Sequence, residues 1–216
     1  IWGMLTFLSP QAKRGGTPVR DAIRFIVTDR RLLTVFVTFT VVGTFAFNYS
    51  VSLLKIADAR FHRKYLFGLL LASTGFGSMA GSLLTAARQK VSTNWFLANG
   101  ILLGVAGLLM SWSGSVWLAV LFSIPLGMGG AAFIAAQNSI LQQESPHDMR
   151  GRLLALSAVA FLGSTPVGAP VTGWVADHVS AEWSLAYGSV SALLATAVGA
   201  VFIRRHRLAD AIQPTI

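Results

Sequence analysis

Residues 116–142 read VWLAVLFSIPLGMGGAAFIAAQNSILQ, a run of 27 residues without a charged side chain. A helix of about 20 apolar residues is long enough to cross a bilayer. The chain contains six such uncharged runs: 32–54, 66–87, 94–114, 116–142, 153–176 and 183–203. All 17 Lys and Arg, all 8 Asp and Glu and all 4 His lie outside them. Because helices of soluble proteins carry a polar face, this segregation predicts an all-α integral membrane protein with six transmembrane helices.

The composition supports the same fold class. Of the 216 residues, 54% are hydrophobic and 12% are charged, whereas a soluble domain has about 25% charged residues. A transmembrane barrel would show alternating strands of about 10 residues instead of long apolar runs. The chain has no cysteine, which excludes disulfides, thiolate metal sites and cysteine nucleophiles.

The distribution of basic residues predicts the orientation in the membrane. Short loops make consecutive helices antiparallel, so the loops alternate between the two sides. Thirteen Lys and Arg fall on the side of the N-terminus and four on the other, which places both termini in the cytoplasm. The basic loop 55–65 is an exception on the outer side. Since the cytoplasmic residues account for the net charge of +9, we expect a lipid bilayer and no nucleic acid as partner.

The segments outside the bundle predict a chain cut from a longer product. Residues 1–16 are interpreted as the stump of a preceding helix and a linker. Residues 17–31 predict an amphipathic cytoplasmic helix at the membrane interface, although a simple basic linker helix fits equally well. The six-helix bundle occupies 32–203, and 204–216 form a cytoplasmic tail.

Two patterns within the runs indicate function or packing. In the first run one side of the helix carries a polar stripe, and its amide, Asn48, points to a lined pathway, with Phe45 as a neighbouring wall. The stripe consists of Thr34, Thr38, Val41, Phe45, Asn48 and Ser52. Asn48 could equally serve only to bond a neighbouring helix. In the second run, Gly77-x-x-x-Gly81 favours close helix contact, as does Gly100-x-x-x-Gly104 in the third.

Prolines in the fourth and fifth runs predict places where helices bend. Pro125 with Gly129, and Pro166 with Pro170, interrupt the backbone hydrogen-bond ladder. Transporters use such helices to change which side is open, although a static bundle also tolerates them.

The runs contain no pair of carboxylates, no His and no Ser with an acid–base partner. We therefore expect no enzyme activity, no metal and no cofactor. A membrane enzyme is the weakest alternative, because only loop residues remain for chemistry.

Four stretches resemble the C-terminal half of a major facilitator superfamily transporter, most closely the enterobactin-exporter and macrolide-efflux branch. They are 21–33 (DAIRFIVTDRRLL), 81–90 (GSLLTAARQK), 144–152 (ESPHDMRGR) and 163–177 (GSTPVGAPVTGWVAD). The second stretch departs from the superfamily loop motif G-x-L-A-D-R-x-G-R-K, because Thr85 replaces its Asp.

The loop stretches predict a cytoplasmic gate. Its candidate residues are Gly81, Arg88, Lys90, Glu144, Asp148, Arg150 and Arg152. Glu144 and Asp148 are expected to pair with Arg150 and Arg152 across the turn, although exposed pairs contribute only about 0–1 kcal/mol each.

The resemblance implies one half of a twelve-helix fold that rocks about a central cavity, with an N-terminal six-helix half as partner. It implies proton-driven efflux, as antiport, of a small amphipathic compound such as a siderophore or drug, in a bacterial inner membrane. No ionisable group lies inside a run, so the coupling carboxylate is expected in the other half. Asp58, Asp177 and Glu182 at the outer rim are the local alternatives.

The resemblance also implies a wall along the substrate pathway. Its residues are Thr38, Phe45, Asn48, Ser52, Thr74, Gly130, Phe133 and Gln137. Such a wall suits an uncharged, cationic or bulky amphipathic solute, because an anion would need a buried Arg or Lys. The alternative function is a non-transporting membrane scaffold or receptor-like bundle that retains the fold.

Overall fold

The computed structural model describes residues 19–61 and 65–212, which form helices joined by short turns. A π-helical turn, Ile56–Arg60, follows the third of them. The helices are α1 (Val19–Thr28), α2 (Arg30–Phe45), α3 (Tyr49–Lys55), α4 (Leu66–Ala86), α5 (Thr93–Ser111), α6 (Val116–Glu144), α7 (Arg150–His178) and α8 (Ala181–Ile212).

Six helical stretches are long and apolar enough to cross a membrane. They are Arg30–Ala59, Leu66–Ala86, Thr93–Ser111, Val116–Glu144, Arg150–His178 and Ala181–Arg205. Each overlaps one predicted run along most of its length, and no strand occurs in the described parts of the chain. The predicted all-α membrane fold with six transmembrane helices is therefore confirmed.

Polar residues at the boundaries of the runs start several helices. The Asp29 carboxylate accepts hydrogen bonds from the backbone N–H groups of Arg31 and Leu32, at 2.9 and 3.1 Å, and so caps α2. Ser92 caps α5 by accepting from the Trp95 N–H at 3.2 Å. Because N-terminal N–H groups have no partner inside a helix, such caps fix where each helix begins.

The first span departs from the prediction, which treated the run 32–54 as one helix. Residues 46–48 form a turn between α2 and α3. The backbones of two later helices pack against this turn: Gly188 of α8 meets Phe45 and Ala46, and Gly168 of α7 meets Thr44. Because the regular helix is interrupted at 46–48, the predicted stripe does not continue at helical spacing from Phe45 to Asn48 and Ser52.

The six spans form two interlocked triplets. The first triplet is α2–α3, α4 and α5, and the second is α6, α7 and α8. The first helix of each triplet packs between the second and third helices of the other: α2 contacts α7 and α8, and α6 contacts α4 and α5. Helices α5 and α8 also pack together. This exchange is the arrangement expected of inverted repeats.

Helix α1 packs on the bundle with half of its apolar face. Ala22 and Ile26 are buried against Leu153 of α7, whereas Ile23 and Val27 are exposed. The predicted stump 1–16 and the helix start at 17–18 lie outside the described residues. Helix α8 continues into the predicted tail as far as Ile212.

Candidate functional site

An aromatic cluster fills the space between α2, α6 and α7. The Phe39 ring stacks on Phe133 and Phe161, with centroids 5.8 and 5.4 Å apart. Phe133 also stacks on Phe96 of α5 at 4.2 Å, and Phe47 meets Phe161 edge-on at 5.1 Å. Phe133 was predicted to line a wall, but in this structure it lies wholly inside the cluster. Phe47 and Phe161 are the partly exposed members.

A buried polar pair lies one helical turn from the cluster. Gln137 follows Phe133 by four residues, and Ser157 precedes Phe161 by four. The Gln137 amide Nε2 donates to the Ser157 Oγ at 2.7 Å, and both side chains are buried. The amide oxygen Oε1 of Gln137 has no hydrogen-bond partner. Buried acceptors are normally satisfied by protein, water or ligand, so this oxygen is available to a molecule that enters between α6 and α7.

Asn48 has a local partner at the break in the first span. Its amide Nδ2 donates to the Thr44 carbonyl oxygen at 2.8 Å, a carbonyl that loses its usual helical partner when α2 ends. Gly168 of α7 packs directly against this amide. In this structure Asn48 therefore stabilises the end of α2, where the three elements α2, α3 and α7 meet.

The remaining predicted pathway residues lie in separate places. The Ser184 hydroxyl of α8 donates to the Ser52 hydroxyl at 2.8 Å, in a buried contact. The Thr74 hydroxyl is buried and donates to the Leu70 carbonyl of its own helix at 2.7 Å. Gly130 faces Phe47 of the aromatic cluster. Of the predicted set, the structure thus brings Gly130, Phe133 and Gln137 together.

Thr38 and Phe45 border a groove between α2 and α8 on another side of the bundle. The groove has a volume of about 1010 Å³. Phe45 meets Tyr187 of α8 edge-on, with centroids 5.7 Å apart. Thr38 is almost fully buried beside Gly199 of α8. These two residues therefore face α8 and not the aromatic cluster.

Glycines bring α4 and α6 into backbone contact. A Cβ at Gly77 or Gly81 would collide with carbonyl oxygens of α6, and one at Gly127 would collide with the Thr74 carbonyl. The Ser78 hydroxyl adds a hydrogen bond across the crossing, 3.3 Å from the Gly127 carbonyl oxygen. The close contact predicted from the small-residue spacing is confirmed.

The predicted bending points lie inside continuous helices. Pro125 is within α6, and Pro166 and Pro170 are within α7. A Cβ at Gly129 would approach the α5 backbone, 3.0 Å from the Asn99 carbonyl oxygen. Gly129 thus has a packing role, and a change of bend during function stays a prediction.

Arg31 joins three helix ends on the predicted cytoplasmic side. Its Nη1 lies 2.7 Å from Glu144 Oε1 at the end of α6. Its Nε donates to the hydroxyl of Thr93, at the start of α5, at 2.7 Å. Because Arg31 lies in the first turn of α2, one side chain links α2, α5 and α6.

The predicted pairing within the 144–152 loop is wrong for Glu144, whose carboxylate binds Arg31 instead. The Arg150 Nε donates to the Ser145 carbonyl at 3.2 Å. Arg152 has one buried guanidinium nitrogen, Nη1, without a hydrogen-bond partner. Asp148 is exposed. Within the loop, the backbone N–H groups of Met149 and Arg150 donate to the Pro146 carbonyl at 3.0 and 3.2 Å.

The 81–90 stretch also ends in contacts at the end of the bundle where Arg31 lies. The Arg88 guanidinium lies 3.6 Å above the Trp95 ring centroid. The Trp95 indole N–H donates to the Thr85 hydroxyl at 3.1 Å, so Thr85, which replaces the motif's Asp, acts as an acceptor here. Lys90 is exposed. At the opposite end of the bundle, Lys55 and Asp177 form an ion pair.

Sequence reasoning missed several residues of the cluster and of the helix-end contacts: Arg31, Phe39, Thr93, Ser157 and Phe161. Arg31 and Thr93 gave no local signal, because their partners are distant in sequence. A usable signal existed in α7, where Ser157, Phe161, Gly168 and Thr172 follow at spacings of four, seven and four and so share one face.

No group of His, Asp and Glu that could hold a metal ion occurs in residues 19–61 and 65–212.

The comparisons with known proteins agree with this architecture. No curated protein matches the chain. Residues 10–214 match the family described as transmembrane secretion effector, whose members are membrane transporters and not enzymes. The chain therefore belongs to the transmembrane secretion effector family of the major facilitator superfamily.

Proposed function

We propose that the chain is the C-terminal half of a secondary transporter that exports a small amphipathic compound by alternating access. The observation that carries this proposal is the aromatic cluster with the unpartnered Gln137 oxygen beside it, placed where the first helices of the two triplets meet. It is the one place in the described structure where apolar and unsatisfied polar groups converge at depth in the bundle.

The burial of the spans supports a missing partner. In the most apolar part of α7 only 12% of the residues are buried, and in α4 28%, against 56% in α5. Helices α4 and α7 therefore present most of their surface outside this bundle. We propose that they dock against an N-terminal six-helix half, which covers the exposed parts of Phe47 and Phe161.

The chemistry of the cluster supports a class of substrate. Aromatic faces attract cations and pack on apolar rings, and the Gln137 oxygen accepts a hydrogen bond. The described residues of the cluster include no Arg or Lys that could neutralise a phosphate or carboxylate. An uncharged or cationic amphipathic solute therefore fits better than an anion.

We propose that proton coupling is supplied by a carboxylate of the other half. No Asp or Glu is found within the cluster. Of the rim carboxylates, Asp177 is engaged by Lys55, Asp58 lies in the π-helical turn after α3, and Glu182 lies in the first turn of α8. Replacing each rim carboxylate by its amide should leave a pH-gradient-driven efflux in place; loss of coupling with intact substrate binding would contradict this assignment.

The central test uses Gln137→Leu in the full-length transporter, with Gln142→Leu on the exposed side of α6 as control. We expect ethidium efflux from cells to fall to the background level in Q137L and to stay unchanged in Q142L. Q137L should lose at most about 1–3 kcal/mol of stability, because the substitution removes an unsatisfied acceptor but also leaves the buried Ser157 hydroxyl without its donor. Unimpaired efflux in Q137L would contradict the proposed site.

One observation favours the alternative, a non-transporting scaffold. Phe39 and Phe133 fill the face between α2 and α6, where a transporter needs an opening during its cycle. The two functions differ in one measurement: cells that express the full-length wild-type protein should extrude amphipathic dyes faster than cells that lack it, and a scaffold would leave extrusion unchanged.

A further inference from the structure

The groove between α2 and α8 is separate from the proposed transport site. Val37 lines the groove, while Phe39, two residues further, belongs to the aromatic cluster. Two residues correspond to a rotation of about 200° on a helix. The groove and the cluster therefore lie on opposite sides of α2, and the groove needs an occupant of its own.

The walls of the groove are apolar in effect. Val37 of α2 and Val198 of α8 are each at least half exposed into it. Two hydroxyls of the lining are already bonded inside their own helices: Thr34 donates to the Arg30 carbonyl at 2.8 Å, and Ser191 to the Tyr187 carbonyl at 2.6 Å. An occupant thus meets hydrocarbon along the length of the groove.

One end of the groove is basic. Arg30 lines it, and its side chain carries a fixed positive charge. On α8, Val198, Phe202 and Arg205 follow at spacings of four and three, so Arg205 extends the lining face by one turn beyond Phe202. Both arginines are exposed on the predicted cytoplasmic side. Two guanidinium groups at one mouth favour an anionic headgroup.

The other end of the groove is aromatic. Trp112 and Trp183 meet edge-on with centroids 5.7 Å apart, and each is more than half exposed. Tryptophan side chains concentrate at the membrane–water interface. From Arg30 to Phe45 the helix rises about 22 Å, which is most of the hydrocarbon core of about 30 Å. The groove therefore runs along the bilayer normal, from a basic mouth to an aromatic one.

We propose that this groove binds an anionic phospholipid from the leaflet on the Arg30 side. Its phosphate lies against Arg30 and Arg205, and an acyl chain follows Val37 and Val198 towards the middle of the membrane. Charge complementarity selects the anionic headgroup, and the apolar walls select the chain. The proposal does not depend on transport, because it concerns a surface away from the aromatic cluster.

The test measures lipid retention by the full-length protein in native mass spectrometry, with phosphatidylglycerol and phosphatidylcholine added separately. We expect wild type to retain phosphatidylglycerol preferentially. Arg30→Gln and Arg205→Gln should each weaken this preference about fivefold, while Arg24→Gln on exposed α1 keeps it. Val37→Trp fills the groove and should lose the bound lipid, while Val105→Trp, on an exposed position of α5, should retain it.

Three results would overturn the proposal. Equal retention of the two lipids by wild type would remove the anionic selectivity, and equal retention by V37W and V105W would remove the groove as the site. Displacement of phosphatidylglycerol by ethidium would make the groove part of the substrate route. If V37W does not fold, Val37→Cys gives a second measurement: phosphatidylglycerol vesicles should protect its thiol from maleimide better than phosphatidylcholine vesicles, and equal labelling would contradict binding.

Discussion

The Arg31 guanidinium lies 2.7 Å from the Glu144 carboxylate, and this ion pair joins the start of α2 to the end of α6. These helices are the first members of the two triplets, and each contacts mainly the other triplet. The same guanidinium bonds Thr93 at the start of α5. A motion that separates the triplets on this side must therefore break contacts of a single arginine.

We predict that Arg31 and Glu144 are coupled in stability. A double-mutant cycle of Arg31→Gln and Glu144→Gln, read by thermal unfolding of the full-length protein in detergent, should give a coupling of about 0.5–1 kcal/mol, because the pair is partly exposed to solvent. Thr93→Val should lower stability in a protein that carries Arg31 and should have no effect in the Arg31→Gln background. Strictly additive effects of the two glutamine substitutions would show that the ion pair contributes nothing.

The α4–α6 crossing should tolerate no added methyl group. Gly127→Ala places a Cβ against the Thr74 carbonyl, and overpacking of this kind costs about 1–3 kcal/mol or more. Gly75→Ala, on the same pair of helices with open space around it, is the matched control and should be neutral or slightly stabilising. The prediction fails if the two variants unfold at the same temperature.

Asn48 should matter for stability as well as for any transport. Asn48→Ala leaves the partly buried Thr44 carbonyl without the Nδ2 donor, which costs about 1 kcal/mol or more. Asn94→Ala, at an exposed position of α5, should change the unfolding temperature little. An N48A protein as stable as N94A would mean that the break in the first span is held by the α7 and α8 backbones alone.

The aromatic cluster should be the most sensitive part of the core. Phe133 is fully buried between Phe39 and Phe96, so Phe133→Ala should cost about 3–5 kcal/mol. Phe76→Ala removes a ring of the same size that is 61% exposed and serves as control. Unfolding in detergent measures both, and comparable losses in the two variants would indicate that the stack is not a unit of the core.

The positions of the spans could be predicted closely, because charged residues occur only where a helix leaves the hydrocarbon core of the bilayer. Leu66–Ala86 and Thr93–Ser111 begin and end within a few residues of the uncharged runs. The glycine contacts of α4 were also visible, since a helix-length spacing of small residues is itself a packing pattern. Both signals are local in sequence.

The break at 46–48 could not be predicted, because Ala46, Phe47 and Asn48 include neither Pro nor Gly. It depends on Gly168 and Gly188, more than a hundred residues away in the chain. For the candidate site, Gln137 and Phe133 were identified, but Phe39 and Phe161 were not. In a membrane helix, apolar residues occupy both the faces that contact lipid and the faces that contact other helices. Hydropathy therefore cannot show which phenylalanines are in contact with one another.

The exchange of first helices between the triplets has a consequence for biogenesis. During synthesis α2 leaves the insertion machinery long before α7 and α8 exist, and these are the helices on which it packs. It must therefore reside in the bilayer before these packing partners are made. The span that contains it, Arg30–Ala59, has a mean hydropathy of 1.6, which is sufficient for this. Truncation before α8 would leave α2 without one of the two helices on which it packs. Neither three-helix segment is therefore a natural unit for separate expression.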